Sequence, residues 1–283
     1  AGLFCRPGHL QTTVVTVKGY DGMHMIVKHL LFLFISLLLM TGCQKGNGQE
    51  TVTITGRVTD FEGHPIDSCS IWWKAPSFEN VMEVFTNKEG YYTARVPKGK
   101  YQSVAAIHMP SYASVAMQER KLEEEDYRLE FWAWDFVADR DTTLDIRYHR
   151  MEAYGLRAFR IPGATPAYQI YVRPISLTRS LAWMKLDAKE RGKECQWAPH
   201  PEHLSIKIWI DGEEVPVLMK QEIKEYLKTD EYCNAYLLTV DIPKQSREDL
   251  PYLTFKVELT DLENGDRGEG LYCMDKEDYV KIR

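Results

Sequence analysis

The sequence predicts a mostly β protein, built as two tandem β-sandwich domains over residues 51–153 and 154–283 behind an N-terminal export segment. Three observations predict it. Apolar and polar residues alternate with period two in run after run, as in TVTITGRVT at 51–59 and LSIKIWI at 204–210. Turn chemistry separates these runs at short intervals, including Asn87-Lys88-Glu89-Gly90, Asp211-Gly212 and Asn264-Gly265. Aromatic residues reach 12% of the chain, rich in Tyr and Trp, a composition that suits strands better than helices.

Charge narrows the function. The 35 Lys and Arg are interspersed among 41 Asp and Glu, and the net charge is −6, so there is no basic footprint for nucleic acid. Nucleic acid is therefore excluded as a partner, and no cofactor is implied.

In chain order, residues 25–43 read MIVKHLLFLFISLLLMTGC. Lys28 sits near a candidate start, an apolar run follows, and Thr41 and Gly42 lead into Cys43. The run is too short for a span of roughly 20 residues, and the pattern is that of a cleaved export signal. It resembles a bacterial lipoprotein signal peptide, with Met40 where Leu is usual; an ordinary signal peptide or a single membrane anchor is the alternative. The resemblance implies lipidation at Cys43 and several acyl chains as a membrane anchor. Residues 1–24 then form an upstream extension outside the fold, 25–42 the signal and 43–50 a tether. The expected address is the cell envelope, lipid-anchored and at the outer membrane. The leaflet stays open, because Gln44 to Gly48 lack an acidic cluster.

Roughly 240 residues follow Cys43, enough for two modest domains. The first opens with the strand 51–59 and the turn DFEGHP at 60–65. Further strands are expected at 66–73, 81–85, 91–96 and 101–107, and a loop at 110–117. The acidic run 123–126 reads as a solvated loop or short helix. An aromatic strand follows at 129–137 (LEFWAWDFV), with Phe131 on one face and Trp132, Trp134 and Phe136 on the other. Residues 144–148 close the sandwich.

Gly56-Arg57-Val58-Thr59-Asp60, Gly63, Pro65, Ile66, Thr86-Asn87, Gly90-Tyr91-Tyr92, Val96-Pro97, Gly99 and Tyr101 together resemble the carboxypeptidase regulatory-like domain of Bacteroidota-type envelope proteins. The resemblance covers about 51–107 and implies a transthyretin-like sandwich that serves as a scaffold, with no catalytic residues to carry over. Cys69 stands where that family usually has a small residue, and reads as a buried thiol.

In the second half, strands are expected at 154–161 and 168–175, a long connection with a turn or two of helix at 176–194, and a strand at 204–210 returning through a type I′ turn at Asp211-Gly212. Leu218, Ile223, Tyr226 and Leu227 suggest a short amphipathic helix. Strands at 236–242, 253–260 and 270–274 complete an immunoglobulin-like sandwich, without the Cys–Trp–Cys spacing that would specify it.

Few residues suggest chemistry. Cys195, His200 and His203, in ECQWAPHPEH, have metal-ligand atom types but neither zinc spacing nor a fourth donor, and an ordinary surface loop is the competing reading. Asp135, Asp139, Asp141 and Asp145 are carboxylates near Trp132 and Trp134, and no nucleophile elbow or zincin motif accompanies them. One disulfide among Cys195, Cys233 and Cys273 is an option in an oxidising compartment, beside three unpaired thiols. The remaining clue is Trp72, Trp73, Trp132 and Trp134 as a ligand surface, against core packing. Trp72 and Trp73 are adjacent in a strand, so they point to opposite faces. The expected function is a non-catalytic envelope lipoprotein binding a glycan or an envelope protein, with an envelope hydrolase or a structural spacer as alternatives.

Overall fold

A computed structural model describes residues 49–276, apart from 120, 121, 162, 164, 165, 188, 229 and 246. Cys43 and the whole export segment lie outside the described residues. The first half runs β1 (Thr51–Thr59), β2 (Ser70–Lys74), β3 (Asn80–Phe85), β4 (Tyr91–Pro97), β5 (Gly99–Lys100), β6 (Ser103–Ile107), α1 (Ala113–Glu119), β7 (Phe131–Trp134), β8 (Val137–Ala138), β9 (Thr142–Thr143) and β10 (Ile146–Arg147). The second continues with β11 (Met151–Phe159), β12 (Ala167–Ser176), α2 (Leu177–Lys185), β13 (Glu194–Cys195), β14 (Leu204–Ile210), β15 (Glu213–Val215), β16 (Val217–Tyr226), β17 (Tyr232–Asp241), β18 (Tyr252–Asp261) and β19 (Arg267–Asp275). The protein is mostly β, as its alternating pattern requires.

One eight-stranded sheet, in the order β15-β14-β18-β19-β7-β6-β2-β3, draws strands from both halves. Its seam is the parallel pairing of β19 with β7, where Gly270 faces Trp132 and Tyr272 faces Trp134. The position 153/154, expected as a domain boundary, falls inside β11, and the described residues belong to a single compact unit. Two cores nevertheless persist. A small sheet of β4, β1, β9 and β10 packs on the β2–β6–β7 half around Trp73, Ile54, Val104 and Phe131. A second, of β11, β12, β17, β13 and β16, packs on the β14–β18–β19 half around Ile208, Phe255, Val257 and Tyr236.

Alternation along β7 fixes which face each small sheet covers. Phe131 and Ala133 enter the first core, whereas Trp134, with Trp132 packed beside it, enters the second. Neighbouring side chains in a strand point to opposite faces, so the two small sheets lie on opposite sides of the shared sheet. The central strands are enclosed on both faces: β7 contributes to both cores, and every residue of β6 is buried.

Local chemistry explains the turns. Asn87 Oδ1 accepts from the amides of Glu89 (3.1 Å) and Tyr91 (2.8 Å), and Gly90 takes φ +81°. A side chain at Gly90 would also meet the Val58 carbonyl at 2.4 Å. Asp211 and Gly212 both have positive φ, 50° and 89°, as the type I′ hairpin between β14 and β15 requires.

Three local expectations are corrected. Residues 217–226 form the edge strand β16, not a helix, because they pair with β17 along their whole length. Residues 113–119, within the expected loop 110–117, are the helix α1, whose Ala113 and Ala116 pack against Leu177 and Leu181 of α2. The aromatic strand is cut short at Trp134: Asp135 adopts φ +50°, which breaks the alternation and turns Phe136 into the first core, away from Trp132 and Trp134. Of the two alternatives left open for the cysteines, the unpaired one is found: Cys195, Cys233 and Cys273 are free thiols, although Cys195 and Cys233 are register partners between β13 and β17. Cys69 is a buried thiol, with its sulfur 3.3 Å from the Tyr148 hydroxyl.

Candidate functional site

The tryptophans separate cleanly. Trp73 is fully buried and fills the first core, and Trp134 is 2% exposed under Tyr154 and Phe78. Neither presents a ring to solvent, which removes both from the expected ligand surface. Trp72 and Trp132 keep part of their surface, and strand register puts them in one row: Trp72 faces Ala105, and Ala105 faces Trp132. Two strand spacings separate them, about 10 Å. Ala105, between the two indoles, is itself fully buried.

This row lies on the face of the β2–β6–β7 half opposite the first small sheet, where Trp132 packs against the second core and β6 is buried. The Trp72 ring is held in place, since its Nε1 donates to Glu83 Oε1 at 2.6 Å and Lys74 Nζ lies 5.0 Å from its centroid. Lys74 Nζ is in turn bound to Asn80 Oδ1 at 2.7 Å. Trp132 stacks on Trp134 with centroids 5.0 Å apart, and Tyr154 packs edge-on against both. Two fixed aromatic surfaces thus share a row, with Glu83, Lys74 and Asn80 as a polar fringe.

A second feature was not expected. Glu130 and Glu152, beside Trp132, are both buried. Tyr112 donates its hydroxyl proton to Glu130 Oε1 at 3.2 Å, but Glu130 Oε2 and Glu152 Oε1 have no partner, and the neighbouring Trp132 Nε1 makes no aligned hydrogen bond. Burial pushes Glu130 up from its ordinary value of 4.5 to about 7, against the opposing influence of Tyr112 and Trp132. Burial, and then the charge of Glu130, hold Glu152 well above the carboxylate range. An unpaired buried carboxylate is costly, so such groups stay protonated. The signal in the sequence is each glutamate's apolar setting, LEFW and RMEAYG, but their juxtaposition comes only from the packing of β11 against β7.

The other predicted positions have structural employment. Cys195 is buried beside Cys233, His200 lies 3.9 Å from Glu222, and His203 lies 3.4 Å from Glu263. No group of three or more metal-ligating side chains is assembled among the described residues, so the Cys195, His200 and His203 set does not converge. Asp141 accepts from the Thr53 amide at 2.8 Å and Asp145 from the Arg57 amide at 2.9 Å, fastening the 141–145 segment to β1. Asp139 is bound to Arg140 and to the Tyr252 hydroxyl, and Asp135 lies 3.8 Å from Arg157.

Two open cavities flank the segment 122–128. One, of about 350 Å³, is lined by Glu124, Glu125, His149, Arg150, Thr178 and Asp266, among others. There Arg150 is committed: it donates to the carbonyls of Glu124 and Tyr127, to Thr178 Oγ1 and to Asp266. The other, of about 330 Å³, contains Arg128.

No protein-family model matches the chain, and no curated protein matches it. Solved structures show weak likeness. A DUF3823 family protein from Parabacteroides merdae ATCC 43184 aligns at TM-score 0.24 and 10% identity, over 80% of this chain and 98% of that one. The "putative carbohydrate binding protein" of Bacteroides uniformis ATCC 8492 aligns at TM-score 0.25 and 10% identity, over 80% and 99%. BcpA, the major pilin subunit of Bacillus cereus, aligns at TM-score 0.24 and 12% identity, over 80% and 69%. Likeness at this level assigns neither family nor activity.

Proposed function

We propose that the protein is a non-catalytic carbohydrate-binding module, carried on a lipoprotein anchored through Cys43 in the cell envelope at the outer membrane. The observation that carries this reading is the Trp72–Ala105–Trp132 row. Sugar rings offer apolar C–H faces to an indole, while their hydroxyls seek charged and amide partners of the kind Glu83, Lys74 and Asn80 supply. Because Trp72 is already fixed by its bond to Glu83, less side-chain entropy is lost on binding. The test is affinity electrophoresis through gels containing a panel of soluble polysaccharides. Retardation by at least one, reduced about tenfold in affinity or more in Trp72→Ala, is expected of a buried aromatic anchor. Equal migration of both proteins in every gel would remove the reading.

A protein partner has one observation in its favour. The edge strand β3 exposes Val81 and Phe85, at 57% and 59%, beside Tyr91 of β4 at 55%. An apolar edge of this kind can accept an added strand. Val81→Lys would then abolish capture of that partner while leaving polysaccharide binding intact.

The resemblance of residues 51–107 to the carboxypeptidase regulatory-like domain enters here as a scaffold for the Trp72 row. Membrane attachment is tested separately, by metabolic acyl labelling of the wild type and Cys43→Ala. Label retained in the mutant would contradict the anchor.

A further inference from the structure

The cavity of about 330 Å³ is lined by Pro65, Ile66, Asp67, His108, Ser111, Leu122, Asp126 and Arg128. Its size falls at the lower end of small-molecule sites, about 300–1,000 Å³. Arg128 is its unusual member. Its Nη1 is buried without an acceptor, and no ion pair involving its side chain is found among the described residues. The neighbouring cation Arg150, across the segment 122–128, has every face engaged, so the difference lies in the site and not in the residue type. The charge of Arg128 is felt locally: after burial, it is what holds both His108 and His149 below their ordinary value. A half-buried guanidinium with an idle N–H gives up a charge-assisted hydrogen bond, and such groups are completed by an ion, a water or a ligand.

Charge selects among ligands. A simple anion would satisfy Arg128 but meet the carboxylates of Asp67 and Asp126. A metal ion would suit the aspartates but not the guanidinium. A neutral sugar would leave Arg128 uncompensated. A ligand with both charges on adjacent groups meets both sets, and Pro65, Ile66 and Leu122 add an apolar wall. We propose that this cavity binds a small zwitterion of the α-amino-acid class with an apolar side chain. Its carboxylate sits on Arg128, its ammonium faces Asp67 and Asp126, and its side chain rests on Pro65, Ile66 and Leu122. The neutral His108 and Ser111, hydrogen-bonded to each other at 2.6 Å, line the carboxylate end without adding charge.

The site is separate from the tryptophan row, and its test separates the two. Titration calorimetry of the purified protein with L-leucine should give saturable binding. Leucinamide, which lacks the carboxylate, and N-acetyl-leucine, which lacks the ammonium, should each bind about tenfold to a hundredfold more weakly. Arg128→Gln should abolish binding and the exposed variant Asp126→Asn should weaken it several-fold. Trp72→Ala should leave it unchanged. If Arg128→Gln does not fold, the two analogues and Asp126→Asn still decide the matter. Absence of leucine binding, equal binding of the masked analogues, or binding of glucuronate in place of leucine would overturn the proposal.

Discussion

The acid pair at Glu130 and Glu152 makes stability depend on pH in a direction opposite to that of an ordinary surface carboxylate. Glu130 holds its proton up to about 7 in the folded protein, against 4.5 when exposed, so between these values the native state keeps a proton that the unfolded chain has lost. Linkage then requires stability to fall as pH rises through that window, with the penalty complete above it. At 1.36 kcal/mol for each unit between 4.5 and about 7, the penalty is on the order of 3 kcal/mol. Glu152 adds to it in the same direction. His108 and His149 act the other way: with their folded values depressed, they cost stability as pH falls through the ordinary histidine range. The wild-type curve alone is therefore ambiguous, and the informative quantity is a difference. Glu130→Gln keeps the shape and an acceptor for the Tyr112 hydroxyl but cannot ionise. Urea denaturation at a series of pH values should show the variant within about 1 kcal/mol of wild type near pH 4.5 and more stable by up to roughly 3 kcal/mol at pH 8. A difference that stays flat across that range would refute the reasoning.

Other expectations follow from burial and register. Trp73→Ala empties a fully buried site and should cost about 3–5 kcal/mol, read as a fall in denaturation midpoint, whereas Trp72→Ala should cost far less. Gly268→Ala should sharply lower the melting temperature, because a Cβ there would lie 1.9 Å from the Met151 carbonyl oxygen where β11 crosses β19. Cys195 and Cys233 face each other on adjacent parallel strands, within the Cα separation a disulfide spans. Treatment with diamide should join these two, seen by peptide mass mapping, and leave Cys273 free, since its register partner on β18 is Thr254 and not a cysteine.

Much of the fold is legible in the chain because its information is local. The alternation in 51–59, 204–210 and 253–260 has period two, and Ile54, Ile208, Phe255 and Val257 are buried as that period requires. The paired positive φ of Asp211 and Gly212 is equally a property of two residues. What escapes the sequence is set by distant neighbours. Residues 217–226 carry apolar residues at helical spacing, yet an available edge on β17 makes them a strand. Phe136 sits on the unexpected face because one residue, Asp135, leaves the extended region. The joining of both halves into one sheet rests on three register pairs between β19 and β7, far apart in sequence. The site divides the same way: opposed faces for Trp72 and Trp73 follow from adjacency alone, but the Trp72–Ala105–Trp132 row needs three strands to be aligned.

That row is tested most directly by calorimetric titration of wild type, Trp72→Ala and Trp209→Ala with a polysaccharide that retards the wild type. Trp209 is a fair control, being half-buried with Lys256 over its ring, but it lies in β14 of the other half. Binding weakened about tenfold or more by Trp72→Ala and untouched by Trp209→Ala is the predicted result. Equal affinity of wild type and Trp72→Ala, or loss confined to Trp209→Ala, would contradict it.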